Sequence, residues 1–362
     1  MAEPIYVTRP FLPSKEALLR YIDEIYYSGR LTNHGPFVRQ LEEKLRDYLG
    51  VKNLILVANG TLALQIAYRS LSLNGHAITT PFSFVASTSS LVWERIKPVY
   101  ADIDPKRLTI DPINLKKAIT SKTRGIVPVH VFGNPCDIES IDEIASSNSL
   151  SVIYDAAHAF GVRYKNRSVL SYGDVSAISF HATKLFHTIE GGAIITSNTE
   201  IAQKIRQMID FGITDVDKVE SLGINAKMNE FEAVMGLGVL ENINGILKSR
   251  RKLWSEYYDM LVGCVEFPEL APYTEWNYSY VPVLFRDEKQ LLKVKEKLNQ
   301  NNFYPRRYFY PSLDTLPYVR HKSSCRVSRN VSGRILCLPT YFGMEDEVVK
   351  SIAKLIKEGI AI

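Results

Sequence analysis

The chain has 362 residues, of which 46% are apolar and 23% charged, a composition typical of a folded globular protein and unlike that of a disordered or collagen-like chain. The formal charge of +5 comes from 44 basic and 39 acidic residues, an excess too small to predict a nucleic-acid partner without a local basic cluster. The four cysteines are widely spaced, so we predict neither a disulfide framework nor a metal site, and we expect a reducing compartment.

The first residues do not read as a secretion signal, because no basic segment is followed by an apolar one. No apolar run approaches the ~18 residues that a membrane-spanning helix needs. We therefore expect a cytoplasmic protein with no membrane partner.

Short apolar runs alternate with helical patterns through the first part of the chain. Residues 37–49 carry apolar side chains at helical spacing, and a short strand at 53–58 is followed by a turn and a helix at 62–71. Further short strands are predicted at 76–80, 98–104, 124–133, 150–157 and 175–180. This alternation predicts an α/β domain with a mainly parallel, buried sheet and a ligand site at the carboxyl ends of its strands.

The pattern changes near residue 227, where a helical stretch runs to 261 and is long enough to bridge two domains. A strand at 281–285 and helices near 287–300 and 344–360 then predict a smaller α+β domain. At roughly 150 residues per domain, the length also fits two domains. We place a large α/β domain at 1–245 and a small C-terminal domain at 246–362.

Lys184 lies between two predicted strands, in the segment VSAISFHATKLFHTIEGGAIIT at 175–196. The glycines at 191 and 192 allow the chain to fold closely back before the second strand. A lysine held there can be partly desolvated, which lowers its pKa and favours Schiff-base formation with a carbonyl. The alternative is an ordinary solvated loop lysine.

Asp155 ends an apolar strand 29 residues before Lys184. A carboxylate beside a Schiff-base lysine is what pyridoxal phosphate requires, because it keeps the pyridine nitrogen protonated and the ring able to accept electrons. The alternative is that Asp155 caps a helix opened by the residues that follow.

Two further segments supply the remaining parts of such a site. Gly60 and Thr61 follow Asn59 at a strand-to-helix turn, where free backbone N–H groups and the helix dipole favour a phosphate. Phe82 and Phe84 lie near the end of another strand, where an aromatic ring could stack on a cofactor. A simple helix cap and a core aromatic are the alternatives.

In this order, the segments resemble fold-type I pyridoxal-phosphate enzymes, and more closely the DegT/StrS nucleotide-sugar aminotransferases. The resemblance covers almost the whole chain and is carried by the NGT turn, PFSFVAST, VIYDAAHAFG, SFHATKLFHTIEGGA and LGINAKMNEFEAVMG. It implies a seven-stranded type of sheet in the large domain. It also implies a role for each matching residue: Lys184 as the Schiff-base lysine, Asp155 at the pyridine nitrogen, Phe84 on the ring, and Gly60, Thr61 and Ser179 at the phosphate.

The resemblance further implies that His158 contacts the phenolic side of the cofactor, although a satisfied core histidine is the alternative. Asn225 would reach the phosphate from a neighbouring subunit, which implies a homodimer with shared active sites. Ile224 departs from the aromatic residue usual before that asparagine.

The same resemblance implies the reaction. Lys184 is present, which favours transamination over the dehydration of a family branch with histidine there, and His181 tends to accompany amination at C4. The implied donor is L-glutamate, leaving as 2-oxoglutarate, and the acceptor is a nucleotide-linked 4-keto-6-deoxyhexose such as dTDP-4-keto-6-deoxyglucose, used for cell-surface polysaccharide such as O-antigen. The alternatives are a C3 aminotransferase, a non-catalytic pyridoxal-phosphate-binding regulator, and a sugar-binding protein without cofactor.

The residues that bind the nucleotide sugar are predicted from local composition alone. The segment FYPRRYFYPSL combines cations with aromatic rings, and a turn precedes the first long helix. The candidate substrate residues are Asn33, His34, His181, Arg306, Tyr308 and Tyr310. A solvated surface or a strand is the alternative for the segment that combines arginines and aromatic rings.

Overall fold

The alternation of apolar runs and amphipathic stretches produces alternating strands and helices. The computed structural model describes residues 3–319 and 324–361. The strands are β1 (Ile5–Tyr6), β2 (Asn53–Val57), β3 (His76–Thr79), β4 (Lys97–Tyr100), β5 (Thr123–Val127), β6 (Ser151–Asp155), β7 (Arg163–Tyr164), β8 (Arg167–Ser168), β9 (Val175–Ser179), β10 (Gly192–Thr196), β11 (Ile213–Asp215), β12 (Lys218–Val219), β13 (Thr274–Glu275), β14 (Val281–Leu284), β15 (Phe303–Tyr304) and β16 (Ile335–Leu338). The α-helices are α1 (Lys15–Ser28), α2 (Pro36–Leu49), α3 (Gly60–Ser70), α4 (Ala86–Trp93), α5 (Pro112–Ala118), α6 (Ile138–Ser147), α7 (Thr199–Met208), α8 (Glu230–Glu241), α9 (Ile243–Leu261), α10 (Glu288–Gln300), α11 (Arg326–Arg334) and α12 (Asp346–Ala361).

Seven of these strands form a central sheet in the order β2-β10-β9-β6-β5-β3-β4. Strand β10 is antiparallel to both of its neighbours, whereas the pairs from β9 across to β4 are parallel. The predicted mainly parallel seven-stranded sheet is therefore confirmed.

Successive residues of the central strands are buried on opposite faces of the sheet. In β2, Leu54 and Leu56 belong to one apolar core, whereas Ile55 and Val57 belong to the core on the other face. Helices cover both faces, which is why the strands read as continuous apolar runs rather than alternating ones. The polar ends of these strands remain free to build a site at the sheet edge.

A separate apolar core lies in the C-terminal part, where α9, α10 and α12 pack on β14 and β16. The predicted continuous helix over 227–261 is instead two helices, because the chain breaks at Asn242, whose side chain donates to the Gly238 carbonyl. The domain boundary near residue 245 stays a prediction. Strand β1 pairs with β15, so the N-terminal segment contacts the C-terminal part.

Two further features of the described structure are its lack of a membrane-spanning helix and the state of its cysteines. In the described ranges, no helix combines the length and apolarity needed to cross a bilayer. Cys136, Cys325 and Cys337 are buried free thiols, and Cys264 is an exposed one.

Candidate active site

A cavity of about 320 Å³ opens at the carboxyl ends of β2, β6 and β9, beside the first turn of α3. The C-terminal part closes its other side with the start of β14 and the segment after β15. The lining residues are Asn59, Gly60, Thr61, Leu64, Ser83, Phe84, Ala86, Asp155, Ala157, His158, Ala177, Ile178, Ser179, His181, Thr183, Lys184, Glu190, Tyr280, Arg306, Tyr308 and Phe309. Most of the side chains that the sequence predicts for a cofactor therefore meet in one place.

Lys184 is held in the connection between β9 and β10. The Phe180 N–H donates to the Gly191 carbonyl over 2.8 Å, which folds this connection back on itself. A Cβ atom at Gly191 would lie 1.9 Å from Thr188 Oγ1, so a side chain at that position would push the turn apart. Gly191 therefore allows the tight turn between Lys184 and β10, as the sequence predicts.

Lys184 is a half-buried residue that lines the cavity, which excludes the alternative of a freely solvated loop lysine. Its Nζ donates a long hydrogen bond of 3.4 Å to Tyr280 Oη. Burial lowers the pKa of the amine, and the neighbouring Tyr308 and Asp155 act in the opposite direction. A lysine of this kind is suited to attack a carbonyl carbon.

Asp155 is the last residue of β6 and is only 5% exposed. The Ser87 hydroxyl donates to its Oδ2 over 2.6 Å, and the Ala157 N–H donates to its Oδ1 over 3.2 Å. Burial raises the pKa of this carboxyl, while the two hydrogen bonds and Lys184 lower it. Turns follow β6 rather than a helix, so the alternative of a helix cap is wrong.

The start of α3 forms the candidate phosphate cradle. The Asn59 side chain caps the helix by accepting from the Leu62 N–H over 2.9 Å, which leaves earlier N–H groups without an intrahelical partner. A Cβ atom at Gly60 would lie 2.8 Å from Ser179 Cβ, so only glycine allows this close approach. Gly60, Thr61 and Ser179 consequently line one end of the cavity, and this end fits a phosphate group.

Aromatic rings line the rest of the cavity. Phe84 is 49% exposed rather than part of the core, which leaves its ring free to stack on a ligand. His158 stacks on Phe309 with ring centroids 5.5 Å apart, and its Nδ1 accepts from the Phe132 N–H over 3.2 Å. Burial holds the pKa of His158 well below its usual range, so the ring is neutral and carries its proton on Nε2.

His181 lines the cavity three residues before Lys184. Its Nδ1 accepts from the Thr183 N–H over 3.2 Å, which places the proton of the neutral ring on Nε2. That nitrogen lies 3.5 Å from Glu190 Oε1. His181 therefore points a donor toward an acidic residue at the edge of the cavity.

The predicted substrate residues divide into two groups. Arg306 and Tyr308 line the cavity, with the Arg306 guanidinium 5.0 Å from the centre of the Tyr308 ring. Within the described ranges, Arg306 forms no ion pair, so its charge is available to a ligand. Tyr310 lies outside the cavity, where the Arg307 guanidinium packs 3.6 Å from the centre of its ring.

Asn33, His34 and Asn225 do not line the cavity of their own chain. Asn33 and His34 form the turn before α2, both with positive φ, and His34 lines another cavity together with Asp210 and Lys227. The exposed Asn225 pairs with Asp210 through a β-bridge. The three residues thus lie outside the cavity of their own chain, and their predicted roles at the site stay predictions.

Two residues that shape the site, Tyr280 and Ser87, were missed by the sequence interpretation. Tyr280 lines the cavity from the residue just before β14, and Ser87, in α4, lies behind the cavity wall and donates to Asp155. Ser87 stands in the segment PFSFVAST that drew attention to Phe84, so a hydroxyl three residues from that ring was available as a signal. Tyr280 stands 96 residues from Lys184 and carries no local signal of its role.

Residues 14–357 match the DegT/DnrJ/EryC1/StrS aminotransferase family. A dTDP-4-amino-4,6-dideoxy-D-glucose transaminase of Shigella dysenteriae is 40% identical over 365 residues, covering 99% of this chain and 100% of the relative. An Escherichia coli protein of the same name is 38% identical, covering 97% of this chain and 98% of the relative. The crystal structure of DesI in the presence of its TDP-sugar product superposes with a TM-score of 0.94 at 30% identity, covering 99% of this chain and 94% of that chain.

Proposed function

The chain belongs to the DegT/DnrJ/EryC1/StrS aminotransferase family, and we propose that it transfers an amino group from L-glutamate to C4 of dTDP-4-keto-6-deoxyglucose. The product would be dTDP-4-amino-4,6-dideoxyglucose. The observation that carries this proposal is the match along nearly the whole chain to two transaminases named for that sugar. The family resemblance predicted from the sequence is confirmed, and the chain is an aminotransferase.

Pyridoxal phosphate is the proposed cofactor, in line with the cofactor use of the family. When bound, it supplies an aldehyde for attachment to an amine and a ring that accepts electrons from the substrate carbon. The cavity fits it, because a close glycine cradle at Gly60, a buried acid at Asp155 and the amine of Lys184 lie around one space. Phe84, which lines the cavity and is partly exposed, is proposed to cover one face of the ring.

Lys184 is the proposed proton carrier. Its lowered pKa keeps a fraction of the amine neutral, and a neutral Nζ can take a proton from a substrate carbon and return it elsewhere. Asp155 is proposed to hold a proton on the cofactor ring nitrogen, with the Ser87 hydrogen bond favouring its ionised form. His158 is proposed to donate a hydrogen bond from Nε2 to the phenolic side of the cofactor.

The substrate is an anionic nucleotide sugar in this proposal. Arg306 is the guanidinium that lines the cavity among the described residues, and it has no carboxylate partner there. A guanidinium is suited both to the diphosphate of a nucleotide sugar and to the carboxylate of an amino acid. Glutamate and the nucleotide sugar would therefore bind at Arg306 one after the other, in the two half-reactions of the transamination.

The proposed homodimer would complete each site with residues of the partner chain. Exposed apolar residues surround the β11–β12 hairpin next to Asn225: Phe211, Ile213, Val216, Val219, Leu222 and Ile224. A soluble chain rarely exposes so many large apolar side chains together unless another surface covers them. Asn225 would then contribute to the partner's cavity.

The decisive experiment supplies purified enzyme with L-glutamate and dTDP-4-keto-6-deoxyglucose and identifies the product by NMR. An amine at C4 is the expected result, and Lys184→Ala should abolish both turnover and the visible absorbance of the lysine-bound cofactor. Conversion only of a 3-keto sugar would replace the proposal with C3 amination. Cofactor binding without a glutamate half-reaction would instead indicate a non-catalytic regulator.

A further inference from the structure

Tyr280 lines the cavity and belongs to the segment just before β14, which several hydrogen bonds hold in place. The Asn277 side-chain amide donates to the carbonyls of His158 and Phe160, each over 2.9 Å. The buried Arg250 donates from Nη1 to the Ser279 carbonyl over 3.0 Å. This segment is thus tied to the wall of the cavity on one side and to α9 on the other.

The ring of Tyr280 is also fixed by its neighbours. It meets the His158 ring edge to face at 5.0 Å and the Tyr308 ring edge to face at 5.9 Å. With the ring held, the hydroxyl oxygen has a defined position, 3.4 Å from Lys184 Nζ. In the described part of the chain, this is the one hydrogen bond that the structure gives that amine.

We propose that Tyr280 is a positioning residue for Lys184, whose protonated amine donates to the Tyr280 hydroxyl oxygen while it carries a proton between the reacting carbons. The inference rests on the proposed function, which assigns to Lys184 the transfer of a proton between the reacting carbons. The lone pair of neutral Nζ takes the proton of a substrate C–H bond, and the electron pair of that bond stays with the carbon skeleton. Nζ later returns the proton to the second carbon and regains its lone pair, and the phenol keeps its own proton throughout.

The chemistry of the pair supports this assignment. A hydrogen bond from an ammonium group to an oxygen is stronger than one between neutral groups, so the contact favours the proton-carrying form of Lys184. Burial raises the pKa of Tyr280, so the phenol stays protonated and does not compete as an acid. The other titratable or charged side chains that line the cavity are Asp155, His158, His181, Glu190, Arg306 and Tyr308.

The test measures the pKa of Lys184 in the full-length apoprotein. The rate of its acetylation by acetic anhydride is followed against pH by mass spectrometry of the peptide that contains it. Tyr280→Phe should lower this pKa by roughly one unit, because the ammonium form loses its oxygen partner. Incorporation of 3-fluorotyrosine at position 280, which weakens the oxygen as an acceptor, should give a smaller shift in the same direction.

Tyr257→Phe is the matched control. Its phenol donates to the Pro339 carbonyl over 3.0 Å in the C-terminal core, so this substitution removes the same atom away from the cavity. It should leave the pKa of Lys184 unchanged. An unchanged Lys184 pKa in both position-280 proteins would overturn the inference.

A second measurement follows the loaded enzyme with glutamate alone. Tyr280→Phe should reduce the rate of the glutamate half-reaction roughly tenfold and change the apparent glutamate affinity much less. A half-reaction at the normal rate would also overturn the inference. Neither measurement uses a nucleotide sugar. Both therefore test the role of Tyr280 even if the proposed sugar substrate is wrong.

Discussion

Asp155 is held by a short series of hydroxyl groups that ends inside the cavity. The Ser87 hydroxyl donates to Asp155 Oδ2 and lies 2.7 Å from the Ser83 hydroxyl, which itself lines the cavity. A buried carboxyl group would otherwise favour its neutral form, because burial penalises charge. The serines therefore help to keep ionised the acid that the proposed mechanism needs.

Replacement of Ser87 by alanine should weaken activity most at low pH. Loss of the donor raises the pKa of Asp155, so the carboxyl becomes protonated at a higher pH than in the native enzyme. The acid limb of the kcat/KM profile should move upward by roughly one unit, the size expected for a hydrogen bond to a charged group. Ser87→Thr retains the hydroxyl and is the control; superimposable profiles for the two variants would contradict the assigned role.

Arg306 and Arg307 are adjacent in sequence and face different surroundings. Arg306→Ala should raise the KM of the anionic substrates about tenfold or more, because the cavity loses its unpaired guanidinium. Arg307 hydrogen-bonds to Glu288 over 2.6 Å and lies outside the cavity, so Arg307→Ala should lower stability and leave KM near the native value. Steady-state kinetics with each substrate varied in turn separate the two, and an unchanged KM in Arg306→Ala would remove Arg306 from the site.

At the level of secondary structure, the junction between α3 and β9 sets the shape of the phosphate cradle. Gly60→Ala places a Cβ atom 2.8 Å from Ser179 Cβ, and the backbone must separate to admit it. Overpacking of this kind costs about 1–3 kcal/mol, so cofactor affinity should fall roughly ten- to hundredfold. Titration of the apoprotein with pyridoxal phosphate measures the effect.

Gly245 provides the control for that substitution. It lies within α9, where an added Cβ would meet only Phe342 Cε2 at 3.9 Å. Gly245→Ala should bind the cofactor normally and unfold at a slightly higher temperature, since alanine favours a helix. Equal cofactor affinities for the two alanine variants would show that the close approach at Gly60 does not shape the cradle.

Elements fixed by local pattern were predictable, and those decided by distant contacts were not. Strands β6 and β9 follow from apolar runs that end at polar residues, so Asp155 and Ser179 were found from the sequence. The strand predicted over 124–133 ends at Val127, directly before Pro128, which has no N–H to donate, and Phe132 turns the chain further on with φ of 56°. Tyr280 could not be found in this way, since its position depends on how the C-terminal part packs on the cavity.

For the molecule as a whole, the two parts of the chain build the cavity jointly. Strand β6 supplies Asp155 and the connection between β9 and β10 supplies Lys184, whereas the C-terminal part supplies Arg306, Tyr308 and Tyr280. A single chain nevertheless leaves Asn225 exposed outside its own cavity. Whether Asn225 of one chain completes the cavity of a second copy therefore depends on how two chains assemble.

Mixing two inactive variants tests whether the sites are shared. If Asn225 acts in the partner's cavity, a mixed dimer of Lys184→Ala and Asn225→Ala chains carries both changes in one site and neither in the other. Random exchange of subunits makes about half of the dimers mixed, so the mixture should regain roughly a quarter of native activity. Each variant refolded alone is the control. If Asn225 acts within its own chain, every site in the mixture carries at least one change, and the mixture should stay as inactive as its components.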